Sequence, residues 1–120
     1  MKLNFATLWL GFTLLSPSSA SAETAVVKPE QAQEHVGQVV TVEGVVGEVH
    51  HAASGKVIFI DIGGRYPNNA FAGVIFQEDF DKFPKVDVLE GKTVDVTGAI
   101  RLYKGKPEII LNDPGQLKAK

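Results

Sequence analysis

The chain has 120 residues, of which 44% are hydrophobic, and its 14 acidic and 12 basic side chains give a formal net charge of −2. This acidic balance argues against nonspecific binding of polyanions by the surface as a whole, since that activity favours a basic protein. The absence of cysteine excludes disulfide bonds and thiolate metal ligands.

Residues 1–22 have the pattern of a secretory signal peptide. Lys2 precedes a short apolar run, and Ala20-Ser21-Ala22 forms a cleavage site of the A-x-A type. The apolar run is shorter than the ~20 residues of a membrane-spanning helix. We therefore predict cleavage after Ala22, a periplasmic or secreted location and no membrane insertion. Because Lys2 is the only charged residue of the leader, cleavage leaves 98 residues with a net charge of −3.

The remaining chain is predicted to form one domain at residues 29–117, with a flexible N-terminal segment at 23–28 and a tail at 118–120. The domain begins with the segment "PEQAQEHVG". Proline and glutamate favour the start of a helix, and glycine favours its end. We therefore predict a short helix at 29–35.

Segments rich in valine and isoleucine predict five strands, separated by turns rich in glycine, proline and asparagine. Phenylalanines at helical spacing in "FQEDFDKF" predict a short helix between the third and fourth strands. So many strands in a short chain leave exposed edges unless the sheet closes. We therefore predict an all-β fold with one or two short helices, a five-stranded and partly open Greek-key barrel of the OB-fold type. The strands are expected at 38–50, 56–62, 71–76, 92–103 and 107–112.

Three segments of the chain resemble the small OB-fold domains of the nucleic-acid-binding type found in exported bacterial proteins. They read "HVGQVVTVEGVVGEV", "FIDIGGRYPNNAFAGVIF" and "GKTVDVTGAIRLYKGKPEIILNDPGQL", and the resemblance covers about residues 37–117. The most specific parts are Tyr66-Pro67 and the run from Tyr103 to Pro107. The resemblance implies a ligand face over the second and third strands, flanked by the loops that join strands one to two and four to five.

Basic and aromatic residues meet at the turn between the last two predicted strands. Arg101 and Tyr103 share one face of a strand, and Lys104 and Lys106 follow at the turn. Single-stranded nucleic acid is held by such cations together with rings on which bases stack, so these four residues are candidate ligand-binding residues. The alternative is a solvated hairpin whose lysines protect an exposed edge.

The loop "GGRYPNN" repeats the combination of arginine and tyrosine, which makes Arg65 and Tyr66 further candidates. Its asparagines, Asn68 and Asn69, are attributed to the conformation of a tight loop. Phe59 on the second strand is either a stacking platform for a ligand or a residue of the core.

His50 and His51 begin the loop between the first two strands, where they are candidates for ligand contact. We predict no metal site, because neighbouring residues on a strand point to opposite faces and no third ligand lies at a matching spacing.

The sequence favours a binding module over an enzyme, and it indicates no cofactor. It contains neither the serine elbow of a hydrolase nor a cysteine nucleophile. The preferred ligand is single-stranded nucleic acid or an oligonucleotide, as the resemblance implies. The alternatives are a small charged molecule or a periplasmic protein bound by the same face, including a partner that pairs with an exposed strand.

Overall fold

The computed structural model describes residues 24–120, so the predicted signal peptide and its cleavage site lie outside the described residues. This part of the chain is mostly β-structure with a few short 3₁₀ helices, and it contains no helix long and apolar enough to cross a membrane. The strands are β1 (Val26–Val27), β2 (Val39–His51), β3 (Val57–Ile62), β4 (Phe71–Phe76), β5 (Thr93–Ala99), β6 (Arg101–Tyr103), β7 (Lys106–Ile110) and β8 (Leu117–Ala119). The 3₁₀ helices are Pro29–His35, Gln77–Lys82, Val86–Leu89 and Pro114–Gln116.

A single sheet contains all of these strands, in the order β6-β7-β4-β3-β2-β5-β8, and β1 pairs in parallel with β2. The long strand β2 pairs with β5 through its first half and with β3 through its second half. Its register against β3 shifts between Val46 and Glu48. A Cβ on the intervening Gly47 would lie 2.4 Å from the carbonyl oxygen of Gly64. Glycine at this bulge therefore lets β2 bend and serve both halves of the sheet.

The structure has eight strands where the sequence predicts five, and across residues 24–120 the sheet is not closed into a barrel. One predicted strand, 92–103, is interrupted at Ile100, whose backbone N–H donates to the carbonyl of Gln38. Before this point β5 pairs with β2, whereas after it β6 pairs with β7. The predicted N-terminal segment and tail supply the additional short strands β1 and β8, which pair with β2 and β5.

Alternation along β3 divides its side chains between two faces of the sheet. Ile58, Ile60 and Ile62 are buried in the core, whereas Phe59 and Asp61 lie on the opposite face. Strand β4 pairs with β3, and β7 pairs with β4, so the three strands together form one continuous second face, on the side of the sheet away from the core. Other large side chains that fill the core include Phe71, Ile75, Ile100, Ile109 and Leu111.

Candidate ligand-binding pocket

A pocket of about 400 Å³ lies on this second face of β3, β4 and β7. Three of the residues that line it, Asp61, Ala72 and Glu108, are neighbours across the strands, because the register pairs Asp61 with Ala72 and Ala72 with Glu108. The loop after β3, residues 63–70, borders the pocket on one side, and the β6–β7 hairpin borders it on another. The small side chain of Ala72 leaves the space that the pocket occupies.

Aromatic rings form the side of the pocket next to β2. The register of β2 and β3 places His50 opposite Phe59, and their rings are stacked with centroids 5.7 Å apart. The Tyr66 ring tilts against the His50 ring at 5.4 Å. The Tyr66 residue is nevertheless 62% exposed, so much of its ring is available to a ligand.

A third aromatic side chain, Tyr103, reaches the pocket from the end of β6 and is 49% exposed. The Cζ atom of Arg101 and the Nζ atom of Lys104 lie 5.9 Å and 5.4 Å from its ring centroid, which is the distance range of cation–π contacts. Lys104 and Gly105 have φ angles of 52° and 80°, as in the tight hairpin turns that follow strand twist. The turn therefore places a cation beside an exposed ring at the rim of the pocket.

The carboxyl group of Asp61 is buried at the bottom of the pocket, with 1% of the residue exposed. Its Oδ1 atom accepts a hydrogen bond of 3.2 Å from Nδ2 of Asn69, whereas Oδ2 has no partner among the described residues. Burial raises the pKa of Asp61 to about 6, and the charges of His50 and Lys106 oppose this shift while that of Glu48 adds to it. Nδ1 of His50 is likewise buried without a partner in residues 24–120. Most buried polar groups are hydrogen-bonded, so these two atoms retain hydrogen-bonding capacity that the protein itself does not use.

Lys106 and Asn69 connect β7 to the loop after β3. Nζ of Lys106 donates to the carbonyl of Pro67 and, at 3.0 Å, to Oδ1 of Asn69. The amide of Asn69 in turn donates to Asp61 and to the carbonyl of Phe71. Both Oδ1 and Nδ2 of Asn69 are therefore hydrogen-bonded, and these contacts fix the loop against the bottom of the pocket.

Both arginines of the chain are paired with glutamates. Nε and Nη2 of Arg101 donate to Oε1 of the buried Glu108 at 2.9 Å and 2.7 Å. Nη2 of Arg65 lies 3.6 Å from Oε2 of Glu48. Neither arginine lines the pocket, and each charge is already compensated, so the lysines supply the cations at its rim.

The structure brings most of the sequence-predicted site residues into one place, although their roles in binding stay predictions. Arg65 and Arg101 lie beside the pocket, and His51 lies outside it with Nε2 2.7 Å from Oδ1 of Asp87. Within residues 24–120 there is no group of three side chains that could hold a metal ion. The predicted residues that line the pocket are His50, Phe59, Tyr66, Tyr103, Lys104 and Lys106.

Sequence reasoning did not predict the polar bottom of the pocket. Asp61, Asn69 and Glu108 are buried polar residues that line it. A signal for Asp61 exists in the segment "KVIFIDI", where one carboxylate interrupts an otherwise apolar strand. Asn69 and Glu108 carry no comparable local signal, because their burial depends on residues distant in sequence.

Comparison with known proteins finds likeness in fold. No family model matches the chain, and no curated protein sequence matches it. The structure is similar to an OBody bound to hen egg-white lysozyme, with a TM-score of 0.57, 19% sequence identity and coverage of 85% of this chain and 98% of that one. It is also similar to asparaginyl-tRNA synthetase of Entamoeba histolytica, with a TM-score of 0.52 and 25% identity over 81% of this chain, but it spans only 23% of the synthetase. The structural neighbours thus include OB-fold proteins.

Proposed function

We propose that this chain is an exported OB-fold module that binds single-stranded nucleic acid in the pocket between the loop 63–70 and the β6–β7 hairpin. The observation that carries this proposal is the pair of exposed rings at the pocket, Tyr66 and Tyr103, with the Nζ atom of Lys104 at its rim. Proteins hold single strands through rings on which bases stack and cations that follow the backbone.

The dimensions of the pocket suit a single base of a strand rather than several bases in a row. Its volume of about 400 Å³ is typical of a site for a small planar molecule. Stacking of a base on an aromatic side chain contributes ~1–3 kcal/mol, and Phe59, Tyr66 and Tyr103 all border the space that the base would fill.

The electrostatics favour weak contact with the phosphate backbone. The whole chain is acidic, and both arginine charges are compensated by glutamates. Lys104 forms no ion pair with any residue in the part of the chain that the structure describes. One such cation beside the pocket supports contact with about one phosphate, and stacking then supplies most of the affinity.

Two further considerations support the proposal. The fold is similar to part of a tRNA synthetase, an enzyme named for its RNA substrate. This likeness in fold agrees with a nucleic-acid ligand for this chain. Export rests on the signal-peptide pattern of residues 1–22.

A second candidate function is the binding of a small charged molecule in the same pocket, by a periplasmic adaptor. The enclosed position of the free Asp61 Oδ2 and His50 Nδ1 atoms favours it, because such atoms suit a compact polar ligand. Binding of this kind depends little on salt, whereas binding to phosphates weakens steeply as salt rises.

The test is fluorescence anisotropy of a labelled single strand of about 12 nucleotides, which matches the site size of one OB fold. We expect micromolar binding at low salt that weakens at physiological salt. The variant Lys104→Asn should lower the salt slope by about 0.7, the value for one phosphate of a single strand. Asparagine suits this position because it tolerates positive φ, so the turn is retained.

The matched control is Lys85→Asn, which changes an exposed lysine away from the pocket. It should leave the slope unchanged. Absence of binding even at low salt would contradict the proposal, and so would equal slopes for the wild-type protein and Lys104→Asn. Salt-independent binding of a small anion or cation would favour the second candidate.

A further inference from the structure

We infer that the pocket selects the base it holds through the carboxyl group of Asp61, and that at neutral pH this base is guanine. This inference rests on the proposed function, because it names the part of a single strand that the pocket would take.

Asp61 lies on the pocket side of β3, and because the residue is only 1% exposed, a base would reach its carboxyl group once the side chains around it move, and then with an edge rather than a face. It lies two residues from Phe59 on the same face of β3 and lines the same pocket as the exposed rings of Tyr66 and Tyr103. A planar base stacked on either ring would direct one edge into the pocket. Contact with Asp61 is therefore a contact that reads the hydrogen-bonding groups of that edge.

The carboxyl group has unused hydrogen-bonding capacity. Its two oxygens can accept about four hydrogen bonds. Oδ1 accepts one, from Asn69, and Oδ2 accepts none within residues 24–120, although the residue is almost completely buried. A buried carboxylate in this state is stabilised by a ligand that offers two donors side by side.

Among the bases, guanine alone offers such a pair on its Watson–Crick edge, at N1–H and N2–H. Adenine and cytosine each place one donor beside one acceptor, and thymine and uracil place one donor between two acceptors. An ionised carboxylate only accepts hydrogen bonds, so it matches guanine. A protonated carboxyl group has one donor and one acceptor, so it matches adenine or cytosine.

Proton binding by Asp61 is set mainly by burial and adjusted by charged groups on the strands that pack against it. His50 and Glu48 approach from β2, whereas Lys106 and Glu108 approach from β7, where the charge of Glu108 is compensated by Arg101. Burial raises the pKa of Asp61 to about 6, so the group is ionised above neutral pH and mostly protonated near pH 5. The preferred base should therefore change from guanine to adenine or cytosine as the pH falls.

The experiment measures binding of short labelled oligothymidine strands that carry a single central guanine, adenine, cytosine or thymine, each near pH 7.5 and near pH 5. We expect the guanine strand to bind about tenfold more tightly than the thymine strand at the higher pH, as a bidentate contact to a base allows. This advantage should fall by about tenfold near pH 5, because only about a tenth of Asp61 is ionised there.

The variant Asp61→Asn keeps the shape of the side chain and removes its charge and its titration. It should abolish both the guanine advantage and its dependence on pH. The control Asp87→Asn changes an exposed aspartate outside the pocket and should retain both. If Asp61→Asn does not fold, the change of preference with pH in the wild-type protein decides the question on its own.

Each outcome separates this inference from the function on which it rests. Equal binding of the four strands by the wild-type protein would overturn the role of Asp61 and leave nucleic-acid binding intact. A guanine advantage that is independent of pH, or that persists in Asp61→Asn, would also overturn it. Failure of every strand to bind at low salt would contradict the proposed function and the inference together.

Discussion

The two segments that combine arginine with tyrosine border the same pocket but are held in place by different forces. The loop segment carries Tyr66, whose ring contacts His50 and lies 5.9 Å from Nζ of Lys106. Lys106 also bonds to Pro67 and Asn69, so side-chain contacts to buried groups fix this part of the loop.

The hairpin segment, which carries Tyr103, is held mainly by its backbone. The three residues of β6 are exposed and pair with β7 alone, and the turn at Lys104 and Gly105 sets their direction. The ring of Tyr103 contacts two cations, Arg101, which is held by Glu108, and Lys104. Substitutions in the loop segment should therefore change stability together with binding, whereas substitution of Tyr103 in the hairpin segment should change binding alone.

The largest expected effect comes from removing the central contact of the loop segment. Asn69→Ala removes the donor to Asp61 and to the carbonyl of Phe71 and one of the two acceptors of Lys106, and each buried unsatisfied group costs ~1–3 kcal/mol. We expect a loss of about 2–3 kcal/mol in the free energy of unfolding, measured by urea denaturation. The adjacent exposed residue provides the control, since Asn68→Ala should stay within about 0.5 kcal/mol. Equal stabilities of the two variants would refute the role given to Asn69.

Truncation of the two tyrosines compares the segments directly. Tyr103→Ala should lose ~1–3 kcal/mol of binding to a single strand with a change in stability below about 0.5 kcal/mol. Tyr66→Ala should lose a similar binding free energy and also lower the melting temperature, because its ring packs against His50. Anisotropy and thermal denaturation measure the two quantities. The comparison fails if Tyr103→Ala lowers the melting temperature as much as Tyr66→Ala does.

Replacement of Asp61 tests the polar bottom of the pocket through stability. Burial raises the pKa of this carboxyl group from 3.8 to about 6, so the folded state binds its proton more tightly than the unfolded state does. The wild-type protein therefore loses stability as the pH rises from about 4 to above 6. Asp61→Asn lacks this titration and should become more stable than wild type by up to about 3 kcal/mol near pH 7.5 in the absence of ligand.

Denaturation at a series of pH values measures this difference. It should be small near pH 4, grow through pH 6 and level off above neutrality. Asp87→Asn, at an exposed ion pair with His51, is the control and should not reproduce this curve. A difference between Asp61→Asn and wild type that does not vary with pH would show that burial of the charge is not its cause.

The smallest expected effect separates the two lysines at the rim. Lys104→Asn should change stability by less than about 0.5 kcal/mol, because asparagine accepts the positive φ of this turn. Lys106→Met should destabilise the protein by about 1 kcal/mol, since methionine has no donor for Pro67 and Asn69. Urea denaturation distinguishes them, and a larger loss for Lys104→Asn would reverse the assignment of roles.

Local patterns in the sequence predict the positions of most strands, but not how the strands pair. Alternation continues through the segment 92–103 without a break, so nothing local indicates the interruption at Ile100. That interruption arises because the two halves of the segment pair with different strands, β2 and β7. The count of strands therefore depends on contacts between distant residues.

The candidate site likewise has features that local sequence predicts and features that depend on strand pairing. Rings and lysines at turns are visible in sequence, which is why Tyr66, Tyr103 and Lys104 were predictable. The pairing of Arg65 with Glu48 and of Arg101 with Glu108 removes the arginines as free cations, and it follows from strand register rather than from any motif. Register also decides that Phe59 lies on the pocket face instead of in the core.

The most direct measurement of the central claim is an NMR titration of the ¹⁵N-labelled protein with a single strand of about 12 nucleotides at low salt. Binding in the pocket predicts shifts of the amide signals around His50, Phe59, Tyr66 and Tyr103, and no shifts around the separate groove near Phe83 and Leu89. Shifts that centre on that groove, or no shifts at saturating strand, would contradict the account.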